Sequence, residues 1–565
     1  MDNFDHERYS EDEASTSTSE LPTLVAAFLI KFDVKVGYTI NWKRSLPEVE
    51  VDNVVEFKSL PSGLHNVKED LVYFVQDGYA GISAFANRPA GEEYRNAHLV
   101  AVGVLVPLSY GRMGRSWLHA QSLRDMAHAL AIDTSNIEPL EDYWNEHKLS
   151  SNDTDGSKSP STPAPSSNNR PGQYGRNSDL SMSTTLPQSH TLTPLHPALS
   201  ILKFLETFGP LIFPLYRAAL LRKRILFIAS PPVKLMCDFV YNLSLISTIP
   251  SSVAEPLPTS TNEALHRIRP FFSIGVHDIP LLEREATIAD YPSAKSDNKG
   301  WIACSTDEVL ALKTNLYDIL VHAPENKKWP TLQTPSNAHV KATQRDLRRY
   351  RTLARALRNL ARPSRYRDAP SDPTAAGDDD EQSSLLSHRS KKSHDADDDD
   401  EDTTRYDEVM EPISWSALAY NGFMWWASAG ERDAALDDEA EQDRTLLGDL
   451  SEFASGRKSS NDGNEEEDGK ATRVHAALIV YFHRLTALTL EALTGAIEGD
   501  DEDEAEADGA DDAPVVLRGE NVVQMGLDAW SEADKVFAKD LTKLFFGREA
   551  DVQGASVECC GIKIC

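Results

Sequence analysis

The sequence is poor in cysteine, with five residues among 565. So few thiols cannot form a disulfide framework, and no Cys-x-x-Cys pair is present, so we expect a reducing compartment. The apolar stretch at 24–30 is too short to span a bilayer, and the one at 474–497 contains charged residues and histidines. The first 21 residues lack the apolar core of a signal peptide. We therefore expect a cytoplasmic protein that touches membranes at its surface.

Motifs for catalysis and nucleotide binding are absent from the sequence. It contains no GxxxxGK[ST] loop, no GxSxG elbow, no HExxH and no kinase signature. Two histidine pairs, His119 with His128 and His475 with His483, are nine and eight positions apart. On one helix that spacing separates them by about 12–14 Å, too far to share a zinc ion with bonds of about 2 Å. We expect no catalytic residue, no cofactor and no metal.

Acidic residues dominate the charge, since 57 basic and 89 acidic residues give a net charge of −32. Four tracts, at 378–381, 395–402, 462–468 and 500–512, contain 25 acids and no base. Without them the chain carries −7, an ordinary value. The excess negative charge therefore belongs to solvated inserts. Phosphorylation of Ser459 or Ser460 would offer a route by which such an insert regulates activity. The acidic balance argues against nucleic acid as a partner.

Composition and periodicity divide the chain into folded and unfolded parts. Short β-branched runs at 71–75, 79–86 and 98–108 predict strands, and the helical spacing of apolar residues after Trp117 predicts a helix beginning at Ser116. From 196 onwards helices and strands alternate, which indicates an α/β layer. We predict folded lobes at 22–148 and 196–367; helical segments at 411–431, 471–498 and 515–548; a cysteine-containing tail at 549–565; and disorder at 1–21, 149–195, 368–410, 432–470 and 499–514. A short helix near 64–70 is also expected.

Two further features suggest surfaces for partners. The arginine-rich helix at 341–367 can contact acidic lipid head groups or a phosphate-bearing partner, or can be a solvated face beside the acidic inserts. A tryptophan cluster, Trp415, Trp425 and Trp426, is more typical of a core or domain interface than of a partner anchor.

The C-terminal sequence VECCGIKIC holds three of the five cysteines. It is not a CaaX box, because Ile562 stands fourth from the end. Cysteines beside apolar residues suit S-acylation, and two acyl chains give stable anchoring where one does not. We therefore predict Cys559, Cys560 and Cys565 as lipidation sites, with an unmodified tail or redox-active thiols as the alternatives.

Three segments resemble the DENN domain family, in its LCHN-type and Avl-related branch. The residues that carry the resemblance are LIKFDVKVGYTINWKR at 29–44, PLIFPLYRAALLRKRILFIASPPV at 210–233 and GWIACSTDEVLALKTNLYDILV at 300–321. Residues 411–431 and the helix at 521–546 look like the C-terminal extension of fungal members. The resemblance covers roughly 22–148, 196–330 and 411–546.

The resemblance implies an α/β, bilobed fold: a longin-like lobe with a mostly antiparallel sheet flanked by helices, followed by an α/β DENN lobe with added helices. It implies guanine-nucleotide exchange on Rab GTPases in vesicle traffic. Such an exchanger needs no catalytic acid, base or metal, since it acts by favouring the open state of the switch loops. The alternatives are a non-exchanging adaptor or effector, and a GTPase activator with Arg217 or Arg224 as its arginine finger.

Basic residues in the most DENN-like segment are the candidates for contacting acidic groups of the GTPase switch regions. They are Arg217, Arg222, Lys223 and Arg224. Their alternative role is to complement the negative end of a helix dipole. We expect the contact surface to lie where the two lobes meet.

Overall fold

The computed structural model describes residues 21–33, 35–63, 67–89, 97–149, 192–259, 262–289, 300–324, 329–361, 406–412, 418, 429–448, 465–506, 514–553, 558–559 and 562–563. The predicted linker at 149–195, the acidic insert at 368–410, the tryptophan cluster and Ser459 and Ser460 lie wholly or mostly outside these residues.

The strands of both lobes form one continuous sheet of eleven strands. Those of the upstream lobe are β1 Ala26–Asp33, β2 Gly37–Ser45, β3 Glu69–Gln76, β4 Tyr79–Pro89 and β5 Ala97–Pro107. Those of the second lobe are β6 Ile225–Ile228, β7 Arg269–Ser273, β8 Trp301–Ser305, β9 Ile319–His322, β10 Thr331–Gln333 and β11 His339–Val340. The sheet order is β11-β10-β9-β6-β8-β7-β3-β4-β5-β1-β2.

The two halves of the sheet differ in strand direction. In the upstream lobe β3, β4, β5, β1 and β2 pair antiparallel, whereas in the second lobe β9, β6, β8 and β7 pair parallel. Parallel strands need crossover connections, and helices supply them. The mixed α/β fold class, with an antiparallel longin-like half and an α/β half, is confirmed.

Helices cover the sheet and extend the second lobe. Their bounds are α1 Val55–Ser59, α2 Ala120–Leu130, α3 Glu138–His147, α4 Ile201–Phe208, α5 Ile212–Leu220, α6 Lys234–Ile246, α7 Ser251–Ala254, α8 Glu263–His266, α9 Ile279–Ala289, α10 Glu308–Ala311, α11 Gln344–Ala361, α12 Ala429–Leu447, α13 Glu465–Glu506, α14 Gly519–Gln524 and α15 Glu532–Phe546. Short strands β12 Val515–Leu517 and β13 Ala550–Val552 pair in parallel, and β14 Glu558–Cys559 pairs with β15 Ile562–Lys563.

Both faces of the upstream sheet are buried. Along β5, Val100, Val102 and Val104 face the main core, while Leu99 and Leu105 face a smaller core on the other side. Successive strand side chains point to opposite faces, so a strand buried on both faces appears as a continuous apolar run rather than an alternating one.

The C-terminal extension, which comprises α12 to α15, packs on the second lobe. Phe482 of α13 lies against Phe213 and Tyr216 of α5. The Tyr216 hydroxyl and the Thr486 hydroxyl are 2.7 Å apart in a buried hydrogen bond. Two helical stretches within the described residues, Pro197–Leu220 and Arg473–Asp501, have the length and hydropathy to cross a bilayer, and both lie mostly inside the protein.

The structure corrects several predicted boundaries. Helix α12 and the start of α13 occupy much of 432–470, which we predicted to be disordered, and α13 continues into the predicted acidic loop at 499–514. The prediction fails in α12 because its carboxylates are paired with arginines distant in sequence. The predicted helix at 515–548 is a strand and two helices. Near the predicted helix at 64–70 the structure has β3 from Glu69, and α1 lies earlier.

Candidate functional site

The two lobes meet at a narrow join in the sheet. Strand β3 pairs with β7 through one residue pair, Phe74 opposite Phe272. The register of β7 against β8 shifts between Pro270 and Phe272, and Phe272 has a φ of 59°. A bulky side chain rarely adopts that left-handed conformation, and such strain persists where the surrounding structure enforces it. The seam between the lobes is therefore a specifically built junction.

Asp70 of β3 links the upstream lobe to the N-terminus of α6. Its carboxylate accepts hydrogen bonds from the Val233 and Lys234 amides at 2.6 and 3.2 Å. It also accepts one from the Leu71 amide at 2.8 Å. Burial raises the pKa of Asp70, although these hydrogen bonds oppose the shift. A carboxylate at a helix N-terminus satisfies free N–H groups and complements the dipole.

A buried ion pair and a ring stack tie α1 to the loop after β7. Lys58 Nζ lies 2.7 Å from Asp278 Oδ1, with side-chain exposures of 10% and 7%. Lys58 also donates to the Val75 carbonyl at 2.9 Å, and Asp278 accepts from the Gly275 amide. The Phe57 and His277 rings stack with centroids 3.8 Å apart. These contacts fix the two lobes in one relative orientation.

Replacing Lys58 with Met is expected to lower the free energy of unfolding by about 2–3 kcal/mol. The change leaves the buried Asp278 carboxylate without its cation, and Asp278 keeps the Gly275 amide as a partner. Urea denaturation measures the loss. The matched control is Lys43→Met, since the Lys43–Asp52 pair is about half exposed and is expected to contribute less than about 1 kcal/mol. Equal losses in the two variants would contradict a buried pair at the seam.

Beside the seam, apolar side chains are exposed at the carboxyl ends of the parallel strands. We call Val276, Leu281, Val309 and Leu312 the seam patch; they are 39%, 39%, 51% and 81% exposed. Val276 donates its amide to Asp307 Oδ2 at 3.3 Å, and Lys313 pairs with Glu283 at 2.8 Å. The loops after β7 and β8 are thus held together. Open α/β sheets bind ligands at this end of their strands.

Helix α1 of the upstream lobe borders the same region. Phe57 of α1 stacks on His277, the residue next to Val276, and Lys58 pairs with Asp278. The upstream lobe therefore reaches the seam patch. An apolar surface that both lobes border is suited to a protein partner, because interface centres are apolar and rims are polar.

The basic residues predicted to contact a GTPase lie elsewhere. Arg217 is buried: its guanidinium donates to both Asp346 oxygens at 2.8 and 2.7 Å, and Nη2 lies 3.2 Å from Asp534 Oδ1. Lys223 pairs with Asp540 at 3.1 Å and Arg224 with Asp318 at 2.7 Å. The predicted GTPase contact of Lys223 and Arg224 stays a prediction. The predicted GTPase contact of Arg217 is wrong, because its guanidinium is buried between two carboxylates.

Arg222 is also buried, and its partners are helix ends. Its guanidinium donates to the carbonyls of Ala219, Ser247 and Leu265, at the C-terminal ends of α5, α6 and α8. Burial lowers its pKa to about 9. Arg222 therefore has the alternative role, in which its charge complements the negative ends of helix dipoles. The prediction that it contacts a GTPase at the surface is wrong.

The basic helix at 341–367 is described as α11 over 344–361. Part of this helix faces neither lipid nor solvent, because the side chains of Arg345 and Arg349 are 2% and 1% exposed and both pair with Asp443. Arg355 and Arg358 are exposed, and a membrane contact through this end of the helix stays a prediction.

The cysteines fall into two groups. Cys237 and Cys304 are free and buried, with their sulfur atoms 3.6 Å apart. Cys559 belongs to β14, whereas Cys560 and Cys565 lie outside the described residues. Among the residues that the structure describes, no group of three or more His, Cys, Asp or Glu could hold a metal.

Sequence reasoning placed the contact surface where the lobes meet but did not find the seam patch. The available signal was the apolar residues in GVHDIPLL and STDEVLAL, which follow the strands that the structure shows as β7 and β8. Val309 and Leu312 flank the buried Leu310, so their exposure depends on the loop conformation and not on a periodic pattern.

Known proteins with similar sequences cover both lobes and the extension. Residues 27–331 match the family DENN domain-containing protein 11, and residues 410–565 match a domain of unknown function, DUF4484. DENN domain-containing protein 11 from Danio rerio is 30% identical over 344 residues, 60% of this chain and 61% of that protein. The Xenopus laevis protein of that name is 30% identical over 53% of this chain and 59% of its own length. The alignments thus span about three fifths of these relatives.

A fungal relative aligns along nearly the whole chain. The uncharacterized protein ANR2 of Saccharomyces cerevisiae is 25% identical over 577 residues, 96% of this chain and 95% of that protein. The family match covers more than half of the 565 residues and includes both lobes. The chain belongs to the DENN domain family, as a member of the group of DENN domain-containing protein 11.

Proposed function

We propose that the protein regulates Rab GTPases in membrane traffic, as a guanine-nucleotide exchange factor that docks its GTPase on the seam patch. The observation that carries the proposal is the DENN family match across both lobes, joined by an exposed apolar surface at their seam. The fixed contacts of Lys58 and Asp70 hold the two lobes as one platform. A rigid platform binds without paying for its own ordering.

Exchange requires differential affinity and no catalytic group. A surface that binds the GTPase best when its switch loops have left the nucleotide shifts the population toward that state and speeds GDP release. The apolar seam patch, with Asp307 and Glu308 at its rim, suits a partner surface that is apolar with basic neighbours. In the alternative of a GTPase activator, Arg217 is a poor candidate for the arginine finger, because its guanidinium is buried between two carboxylates.

The test is GDP release from a panel of Rab GTPases, each loaded with a fluorescent GDP analogue, with substoichiometric protein. We expect acceleration on one or two members. The double change Val309→Asp and Leu312→Asp is expected to reduce it about 10- to 100-fold, because a desolvated anchor contributes about 2 kcal/mol or more. The matched control is Ile132→Asp, an equally apolar residue 71% exposed on the upstream lobe, which should keep full activity.

Each result has a separate meaning. If the double variant Val309→Asp with Leu312→Asp accelerates GDP release as the wild type does, the protein is an exchange factor but the seam patch is not its docking site. No acceleration on any Rab would contradict exchange, and preferential capture of the GTP-loaded form would then identify an effector.

We propose a cytoplasmic location, with peripheral attachment to endomembranes or vesicles through acylation of Cys559, Cys560 and Cys565. Release of the protein from a membrane fraction by hydroxylamine, which cleaves thioesters, tests this. Membrane binding that survives replacement of all three cysteines by serine would contradict it.

A further inference from the structure

Helix α12 is acidic, and it is held in place by arginines. Its 19 residues, AGERDAALDDEAEQDRTLL, include seven acids and two bases. Between 436 and 447 the buried side chains are Asp443 and Leu446. A helix that is polar nearly all round lacks the apolar stripe that normally fixes a helix to a core. Its position therefore depends on polar contacts.

Four arginines from two helices supply those contacts. We call Arg345, Arg348 and Arg349 of α11 and Arg484 of α13 the arginine cradle. Arg345 donates to both Asp443 oxygens at 2.9 and 3.0 Å. Arg348 donates twice to Glu439 Oε2, at 3.1 and 2.6 Å. Two carboxylates four residues apart on one helix face are thus bound side by side.

The cradle also recognises the polar face and the end of the helix. Gln442 accepts from Arg345 at 2.9 Å and donates to the Val523 and Gln524 carbonyls. Arg484 donates to the Leu446 and Leu447 carbonyls at 3.3 and 3.2 Å, where a cation complements the negative end of the helix dipole. The contacts define both the register and the direction of an acidic helix.

The cradle has more cationic capacity than α12 uses. Arg349 donates Nε to Asp443 at 3.1 Å and Nη1 to the Gly526 carbonyl, while its buried Nη2 has no hydrogen-bond partner among the described residues. Burial and the charge of Arg349 lower the pKa of Arg345. Arg345 and Arg349 thus place two buried guanidinium groups on the single carboxylate of Asp443, and a site with that charge favours an anionic occupant.

Such docking is specific without being strong. The cost of desolvating buried charges offsets most of their attraction, so paired ions add register more than net stability. Between 436 and 447, the part of α12 whose side chains are described, Leu446 is the buried apolar side chain. Segments with few buried apolar contacts open at lower free energy than the core. We propose that the arginine cradle is a binding site for an acidic helix, filled by α12 and opened to an acidic helix of a partner protein when α12 leaves.

Hydrogen exchange of the full chain tests the first half of the proposal. In the wild type, α12 amides are expected to exchange at least tenfold faster than those of α15. Glu439→Lys places a cation against Arg345 and Arg348 and should speed exchange in α12 at least a further tenfold. Asp438→Lys is the matched control, because it makes the same charge change at an exposed neighbour on the same helix and should leave the rate unchanged. Equal rates in α12 and α15, or equal effects of the two variants, would overturn the proposal.

Peptide binding tests the second half. A fluorescent peptide of residues 429–448 is expected to bind the Glu439→Lys protein at least tenfold more tightly than the wild type. The same peptide carrying lysine at positions 439 and 443 should fail to bind. If Glu439→Lys also loses protection in α15, Gln442→Ala, which removes hydrogen bonds of α12 without changing its net charge, replaces it. Failure of the unmodified peptide to bind the opened protein would show that α12 is a fixed structural element.

Discussion

Replacing Arg217 with Met is expected to lower the free energy of unfolding by about 3–5 kcal/mol, which is a large part of a typical domain's stability. Arg217 is the shared cation of Asp346 and Asp534, whose side chains are each 1% exposed. Removing it leaves two buried carboxylates facing each other without a counter-charge. Methionine retains most of the apolar volume, so the loss reports charge and not a cavity.

The Arg217 site joins three distant parts of the chain. Arg217 lies in α5, Asp346 in α11 and Asp534 in α15, so the ion pairs fasten the C-terminal extension to the second lobe. We therefore expect exposure of α15 to accompany the loss of stability. Urea denaturation followed by circular dichroism measures the first, and proteolysis within α15 measures the second.

Two variants check the assignment of the loss to charge. Arg444→Met removes an exposed arginine, 63% exposed and paired with Glu441, and should change stability by less than about 1 kcal/mol. Adding Asp534→Asn to Arg217→Met should recover part of the loss, since one of the uncompensated charges is then gone. A loss of under about 1 kcal/mol in Arg217→Met would contradict the description of the cluster.

Local patterns in the sequence were sufficient for the lobes. The apolar runs at 71–75, 79–86 and 98–108 correspond to β3, β4 and β5, and the helical spacing after Trp117 corresponds to α2. The apolar side chains of these elements are buried in the core, so the spacing of apolar residues in the sequence is sufficient to predict the elements. The DENN resemblance rested on other segments, at 29–44, 210–233 and 300–321, and extended the prediction to the fold class.

Elements held by charge could not be predicted in this way. Asp443 is paired with Arg345, 98 positions away, and with Arg349, 94 positions away. An acidic stretch whose partners are so distant resembles a solvated insert, as we predicted for 432–470. The prediction that Arg217 contacts a GTPase was wrong for the same reason, because neither Asp346 nor Asp534 is near Arg217 in sequence. Which arginines are exposed is a property of the tertiary fold.

The stability of the protein is expected to contain a component that decreases as pH rises from about 5 to about 7, through the protonation of Asp534. Burial raises the pKa of Asp534 to about 7, against 3.8 for an ordinary aspartate. Arg217 opposes the shift, but it donates to both oxygens of Asp346 and lies 3.2 Å from Asp534. Burial lowers the pKa of Arg217, but the charges of Asp346 and Asp534 and the hydrogen bonds to Asp346 outweigh it, so that the pKa is raised overall. Asp534 is thus the less compensated carboxylate of the two.

The direction follows from proton counting. Between the unfolded pKa of 3.8 and the folded pKa of about 7, the folded protein holds a proton that the unfolded chain has released. Stability then falls as pH rises, by at most about 1.4 kcal/mol per pH unit, and levels off above the folded pKa. Other groups titrate in this range, including Asp238 with a pKa of about 6. The effect of Asp534 is therefore measured as a difference between variants.

The measurement is the free energy of unfolding of the wild type minus that of Asp534→Asn, at pH values from 5 to 8. Asparagine can still accept the Asp528 amide hydrogen bond but carries no titratable charge. The difference is expected to fall steeply up to about pH 7 and then to flatten. Asp540→Asn, on the same helix and half exposed beside Lys223, should give a difference that is nearly constant with pH. A constant difference for Asp534→Asn too would mean that Arg217 keeps Asp534 ionised throughout, as in an ordinary ion pair.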